Sequence, residues 1–264
     1  MNPAELHDRS DLRGLLRRWD DQQAAYIAAR EQRFAAMLDA LALQVEASTG
    51  SGFRVVDLAC GPGSLTVRVL DRFPRARVVG IDLDPALLAV AHAGTATYGD
   101  RVALLDADVA DDAWVEAASA RLGGRPHAVV STTALHWLSP DELVRAYGTA
   151  HTALPTGGLL LDGDHLRYDS RTPHLRRWAA LHDERTQAAA FEEGAEAWDA
   201  WWAALEQLPG MKDLVEERHR RFAGRAPSAS TAVDFRLATL AQAGFEESGT
   251  LWQLFDDFVV YGVA

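Results

Sequence analysis

Val55-Val56-Asp57-Leu58-Ala59-Cys60-Gly61-Pro62-Gly63-Ser64-Leu65 reads as a β-branched strand, a turn with two glycines, and the start of a helix. A strand passed into a helix through such a turn aims backbone N–H groups and the positive helix end at a ligand above it. The next apolar run, Val78-Val79-Gly80-Ile81, ends in Asp82, about 20 residues beyond the turn. There a carboxylate can accept hydrogen bonds from both ribose hydroxyls. Glycine turn and spaced acid together read as a site for a nucleoside or nucleotide.

Outward from this unit the same rhythm continues. Pro85 to Ala93 is helical, Val102 to Leu105 a strand, Ala113 to Arg121 a helix and Ala128 to Ser131 a strand. Asp141 to Ala153 is a helix capped by Ser139 with Glu142 three residues on, and Leu159 to Asp162 is a fifth strand. Strands alternating with helices give a parallel sheet covered on both faces. Upstream, Asp11 to Glu46 carries apolar residues at helical spacing and reads as one or two amphipathic helices, with Ser48 to Gly52 a loop. From Arg167 to Ser230 the alternation stops, and a helical stretch holds Trp178, Trp198, Trp201 and Trp202, with breakers at Pro209-Gly210 and Pro227. Thr231 to Gly244 is again helical. Gly249 to Phe255 and Phe258 to Val263, separated only by Asp256-Asp257, read as an antiparallel pair. The expected architecture is α/β: a Rossmann-like, doubly wound, mostly parallel seven-stranded sheet closing on that pair. Its expected parts are a helical cover (1–47), the nucleoside-binding core (48–166), a helical lid (167–230) and a completing helix and strand pair (231–264).

The chain has 264 residues, 48% hydrophobic, and a net charge of −12. That length supports one large domain with an insertion. An acidic surface repels phosphate backbones and anionic membranes, so neither nucleic acid nor membrane is an expected partner. The lone Cys60 excludes a disulfide framework and any multi-cysteine metal centre, and no metal is expected. Without a signal pattern or a run of about 18 apolar residues, the expected location is cytoplasmic, as monomer or homodimer.

Details of the turn choose the ligand. A dinucleotide turn ends in Gly or Ala so that helix and strand pack closely; here that position is Thr66. Asp57 before the turn, and Asp82 with Asp84 after the next strand, oppose a pyrophosphate or a 2′-phosphate and suit a ligand with cationic groups. A nicotinamide oxidoreductase is disfavoured on both counts.

On these motifs the chain resembles the class I S-adenosylmethionine-dependent methyltransferases, in the small-molecule group that includes the trans-aconitate enzymes. The likeness spans residues 20 to 166 and the last strand pair. It implies that Asp57, Ala59 (glycine in many members), Gly61 and Gly63 form the first motif, with both glycines at the methionine end. Asp82 then holds the ribose and Leu83 lies on the adenine. Asp108 accepts from the adenine amino group, the Val109 backbone adjoins it, and Ser131 and Thr132 meet the methionine portion. Trp114 either covers the ring edge or packs in the core. Tyr26 and Arg30, at i and i+4 on the N-terminal helix, either meet the cofactor carboxylate or form an ordinary helix face. Cys60 is a small packing residue.

His136 and His165 follow the fourth and fifth strands, at the sheet edge where ligands bind. Each serves either as a structural hydrogen-bonding group or as the base that deprotonates an acceptor. His165 is preferred, because Asp164 adjoins it and the insertion begins there. The expected reaction is in-line methyl transfer to a small-molecule acceptor, releasing S-adenosylhomocysteine. The alternative is a non-methylating reaction of the same cofactor, such as intramolecular cyclisation, because a fold does not fix its chemistry.

Overall fold

A computed structural model describes residues 10–47, 52–225 and 231–264. Residues 1–9, most of the loop at 48–52, and Pro227 lie outside them. Two helices come first, α1 (Ser10–Tyr26) and α2 (Arg30–Ala47). They are separated at Ala29, whose φ of 55° no continuous α-helix tolerates. Tyr26 and Arg30 therefore do not share a helical face: one ends α1 and the other begins α2.

The core then runs β1 (Arg54–Leu58), α3 (Ser64–Arg72), β2 (Arg77–Asp82), α4 (Pro85–Thr95), β3 (Val102–Asp106), α5 (Trp114–Leu122), β4 (Ala128–Thr132), α6 (Pro140–Ala153) and β5 (Leu159–His165). An all-helical excursion follows: α7 (Pro173–Glu192), α8 (Trp198–Glu206) and α9 (Met211–Phe222). The chain finishes with α10 (Val233–Gln242), β6 (Glu247–Leu254) and β7 (Asp257–Val263). The sheet has seven strands in the order β3-β2-β1-β4-β5-β7-β6. β1 to β5 are parallel, while β7 runs antiparallel to both β5 and β6.

Successive strand residues point to opposite faces, and the valine runs exploit this. Val55, Val78, Ala128 and Val130 meet Phe34, Met37 and Leu41 of α2 with Leu65 and Val69 of α3. Val56, Val79 and Val129 meet Trp114 of α5, Leu143 and Tyr147 of α6 and Leu240 of α10. Trp114 thus belongs to the core. A third cluster joins Leu12, Leu15 and Trp19 of α1 and Ala86 and Val90 of α4 to Trp201, Leu205 and Met211 of the excursion. Of the helices after β5, α8 and α9 are fastened to α1 and α4 through this shared core. The Ser139–Glu142 capping box opens α6 as the sequence indicates.

Candidate active site

The strand order reverses between β1 and β4, and a crevice opens there at the carboxyl ends. A cavity of about 350 Å³ fills it. Its floor is the turn after β1. Gly61 and Gly63 take φ of 55° and 94°, and Gly63 caps α3. Asp82 lies at the wall, its Oδ2 accepting from Gly61 N at 2.7 Å and its Oδ1 from Asp84 N at 2.8 Å. Burial, with the Asp84 charge, pushes its pKa up to about 7 against those hydrogen bonds. Leu83, Asp108, Val109, Ala59, Gly61, Arg30 and Thr132 also line the cavity.

Asp84 and Cys60 line it too, whereas Asp57, Ser131, Tyr26 and Gly63 are not part of its wall. Asp57 is buried beneath the turn, where its Oδ2 accepts from the Thr66 hydroxyl at 2.6 Å. Its Oδ1 has no hydrogen-bond partner, and burial raises its pKa to about 7. Thr66 thus has a polar role that the comparison with dinucleotide turns did not reveal. Ser131 donates to Leu58 O, and Thr132 accepts from the wholly buried Arg33 at 3.0 Å. Tyr26 accepts from Trp198 N and stacks edge-on against Phe191, away from the cavity. Arg30 reaches the wall but is held by Asp20 at 2.9 Å. Asp84 is consumed structurally: it caps α4 and pairs with Arg218 at 2.6 Å. Cys60 is buried between Gly80 and the turn, its thiol pushed well above the usual range by burial and by Asp57 and Asp82. It is a packing residue.

The two histidines part company. His136 lines the cavity, and its Nδ1 lies 2.7 Å from Asp164 Oδ1 while its backbone N–H donates to Asp164 Oδ2. Asp164 therefore orients His136 and not its chain neighbour, because successive residues of β5 face opposite ways. Although burial works against ionisation, His136 and Arg236 hold Asp164 well below the usual carboxylate range. His165 is not part of the cavity wall. It lies 3.8 Å from Asp256 and close to Asp183, the three offering ligand atoms within 4.8 Å of one another. Burial opposes its charge, but Asp256 and Asp257 outweigh that and raise its pKa. The grouping is an ion pair of His165 with Asp256, with Asp183 beside it.

Several wall residues carried no signal in the sequence reading. Trp19, Gln23 and Trp137 face the cavity, as do Arg218, Phe222 and Arg225 from α9 and its end. Arg218, Arg221 and Arg225 reach Asp84, Asp106 and Asp108. Their helical spacing was the available clue, but an arginine run on a polar helix more often marks a solvated face.

The arrangement fits S-adenosylmethionine. The Asp82 carboxylate on the wall is suited to accept from ribose hydroxyls, and apolar Leu83 and Val109 offer a face to adenine. A family described as "Methyltransferase domain" matches residues 55–158. A trans-aconitate 2-methyltransferase of Azoarcus sp. (strain BH72) is 31% identical over 61% of this chain and 58% of its own length. One of Methylobacterium nodulans is also 31% identical, over 70% of this chain and 67% of its own. Among solved structures, an O-methyltransferase family protein from Burkholderia thailandensis matches with a TM-score of 0.53 and 18% identity, covering 94% of this chain and 69% of that one. That likeness concerns the fold alone.

Proposed function

Because the chain belongs to the class I S-adenosylmethionine-dependent methyltransferases, in the group of the trans-aconitate enzymes, we propose that it methylates a small-molecule acceptor with His136 as general base. The observation that carries this reading is the His136–Asp164 pair at the cavity wall.

When bound, S-adenosylmethionine supplies a methyl carbon made electrophilic by the adjoining sulfonium. Asp82 holds the ribose hydroxyls, Leu83 and Val109 flank the adenine, and Asp108 accepts from its amino group. Most of the rate comes from orienting the acceptor on the line through methyl and sulfur. Asp164 keeps the His136 ring with Nδ1 as donor, so Nε2 is the atom that takes the acceptor's proton. The helices after β5 close the cavity and exclude water. The relatives' names favour transfer over the intramolecular alternative. An acidic chain with a cavity of this size suits a small acceptor better than a nucleic acid.

Calorimetry with S-adenosylhomocysteine, followed by a labelled-methyl screen of small acceptors, tests the reading. His136→Ala is expected to lower turnover by roughly 10²- to 10⁴-fold while leaving cofactor affinity nearly intact. Absence of cofactor binding would overturn the whole reading. Unchanged turnover in the variant would overturn the base alone.

A further inference from the structure

Groups from separate segments of the chain close on Asp164. Its Oδ1 lies 2.7 Å from His136 Nδ1 and accepts from the His165 backbone N–H at 2.9 Å. Its Oδ2 accepts from the His136 backbone N–H at 3.0 Å and from Arg236 Nη2 at 3.3 Å. Arg236 comes from α10, is wholly buried and is not part of the cavity wall. Its other nitrogens are also engaged. Nε donates to the Thr231 hydroxyl at 2.9 Å, and Nη1 donates to Asp162 and lies 3.3 Å from the Tyr147 hydroxyl.

Asp162 and Asp164 are two apart on β5, so their side chains leave the same face of the sheet. Both are wholly buried. Two carboxylates placed in this way resist ionising together unless a cation stands with them. Arg236 is the cation that reaches both. The remaining groups around the pair do not replace it. Tyr147 of α6 donates to Asp162 but carries no charge, and Arg33 of α2, which also acts on Asp164, is paired with Asp257 at 2.7 Å.

The ionisation of Asp164 decides what His136 can do. An ionised Asp164 only accepts, so the ring hydrogen sits on Nδ1 and the basic lone pair on Nε2. If the carboxylate pair took up a proton, Asp164 could donate to Nδ1. The ring hydrogen would then sit on Nε2, where no proton could be taken from an acceptor. Although burial works against ionisation, His136 and Arg236 hold Asp164 well below the usual carboxylate range, whereas burial and the Asp164 charge push Asp162 up against the pull of Arg236.

We propose that Arg236 is a positioning residue for methyl transfer: by keeping Asp164 ionised beside Asp162, it fixes His136 in the Nδ1–H form. This rests on the reading of His136 as the base.

Long-range ¹H–¹⁵N correlation spectra report which ring nitrogen carries the hydrogen. They are recorded at alkaline pH on the full chain, labelled in its histidine rings and saturated with S-adenosylhomocysteine. Signals lost in His136→Gln identify this ring. The unsubstituted protein is expected in the Nδ1–H form, Arg236→Lys should keep it, and Arg236→Gln should convert about half of the rings or more to Nε2–H. Asp162→Asn/Arg236→Gln should restore Nδ1–H, because Asp164 then has no neighbouring carboxylate to share a proton with. A merely structural arginine would not be rescued by removing its partner. Calorimetry should find S-adenosylhomocysteine affinity within about twofold of the unsubstituted protein in each variant. An Nε2–H ring in the unsubstituted protein, an Nδ1–H ring in Arg236→Gln or an Nε2–H ring in the double variant overturns the proposal. Should Arg236→Gln alone not fold, the double variant decides: it must fold and show Nδ1–H, and failure in either respect overturns the proposal. Unchanged turnover in His136→Ala would overturn the base reading, which the spectra do not measure, so the two failures are distinct.

Discussion

Ala59 takes a φ of 52° in the turn after β1, at the position where the resemblance read from the sequence implies glycine in many members. The substitution is small in volume, but its consequence lies in the backbone: a left-handed conformation costs an L-residue roughly 1–2 kcal/mol. Ala59→Gly is expected to stabilise the ligand-free protein by about 1 kcal/mol, after the larger chain entropy of unfolded glycine offsets part of the relief. Denaturant titration measures it, and a loss of stability would show that the turn is not strained. Asp57 and Asp82 make a second expectation. Burial pushes both up to about 7 from an ordinary 3.8. A carboxyl with a higher pKa folded than unfolded binds more protons in the native state between those values, so its contribution falls as pH rises. The thermal midpoint of the ligand-free protein should decline between 3.8 and about 7, less steeply in Asp57→Asn. A midpoint that climbs across that window, with the same slope in the variant, contradicts the assignment. Both residues were legible in the sequence because a local strand–turn–helix unit fixes them. That Thr66 holds Asp57 was also within local reach, and was obscured by reading Thr66 only as a departure from dinucleotide turns.

At the scale of elements, α9 lies across the adenosine side of the cavity and fastens there by arginine. Arg218 meets Asp84, Arg221 meets Asp106 and the Leu83 carbonyl, and Arg225, beyond the helix end, meets Asp108. These pairs are partly exposed, so each is worth about 0.2–1 kcal/mol. Two removed together in Arg218→Gln/Arg221→Gln should speed S-adenosylhomocysteine dissociation by roughly 2- to 30-fold, as followed by stopped-flow displacement. An unchanged rate would mean that α9 does not gate the site. Hydrogen exchange should show protection of Met211–Phe222 on cofactor binding. The helical nature of 173–222 was readable from composition, but its contacts were not. The same limit explains Tyr26 and Arg30, which a continuous helix would have paired and which the break at Ala29 separates.

Across the whole molecule, buried charges tie β5, at the edge of the cavity, and the closing strand β7 to the helices packed on them. Arg236 of α10 is wholly buried, meets Asp162 and Asp164 of β5 and lies 3.3 Å from the Tyr147 hydroxyl. Arg33 of α2 meets Asp257 of β7 at 2.7 Å and reaches Thr132 and Thr133. Removing one partner of such a set strands charge in the interior, so Arg236→Met is expected to cost about 3–5 kcal/mol. That corresponds to a fall in Tm on the order of 10 °C. A loss below about 1 kcal/mol in denaturant titration would show that Asp162 and Asp164 do not depend on it. The sequence by itself determined the sheet, the glycine turn and the acids at the ends of β2 and β3. These follow from residue periodicity and from spacing within one strand–turn–helix unit, which short-range geometry enforces. Only the tertiary structure decided which histidine faces the cavity, since Asp164 adjoins His165 in the chain yet points at His136 across the sheet edge. It alone brought Trp19, Trp137 and Trp198 to the wall of one cavity. Those residues come from three distant segments, and their meeting is fixed by how helices pack on the sheet, which no local pattern encodes.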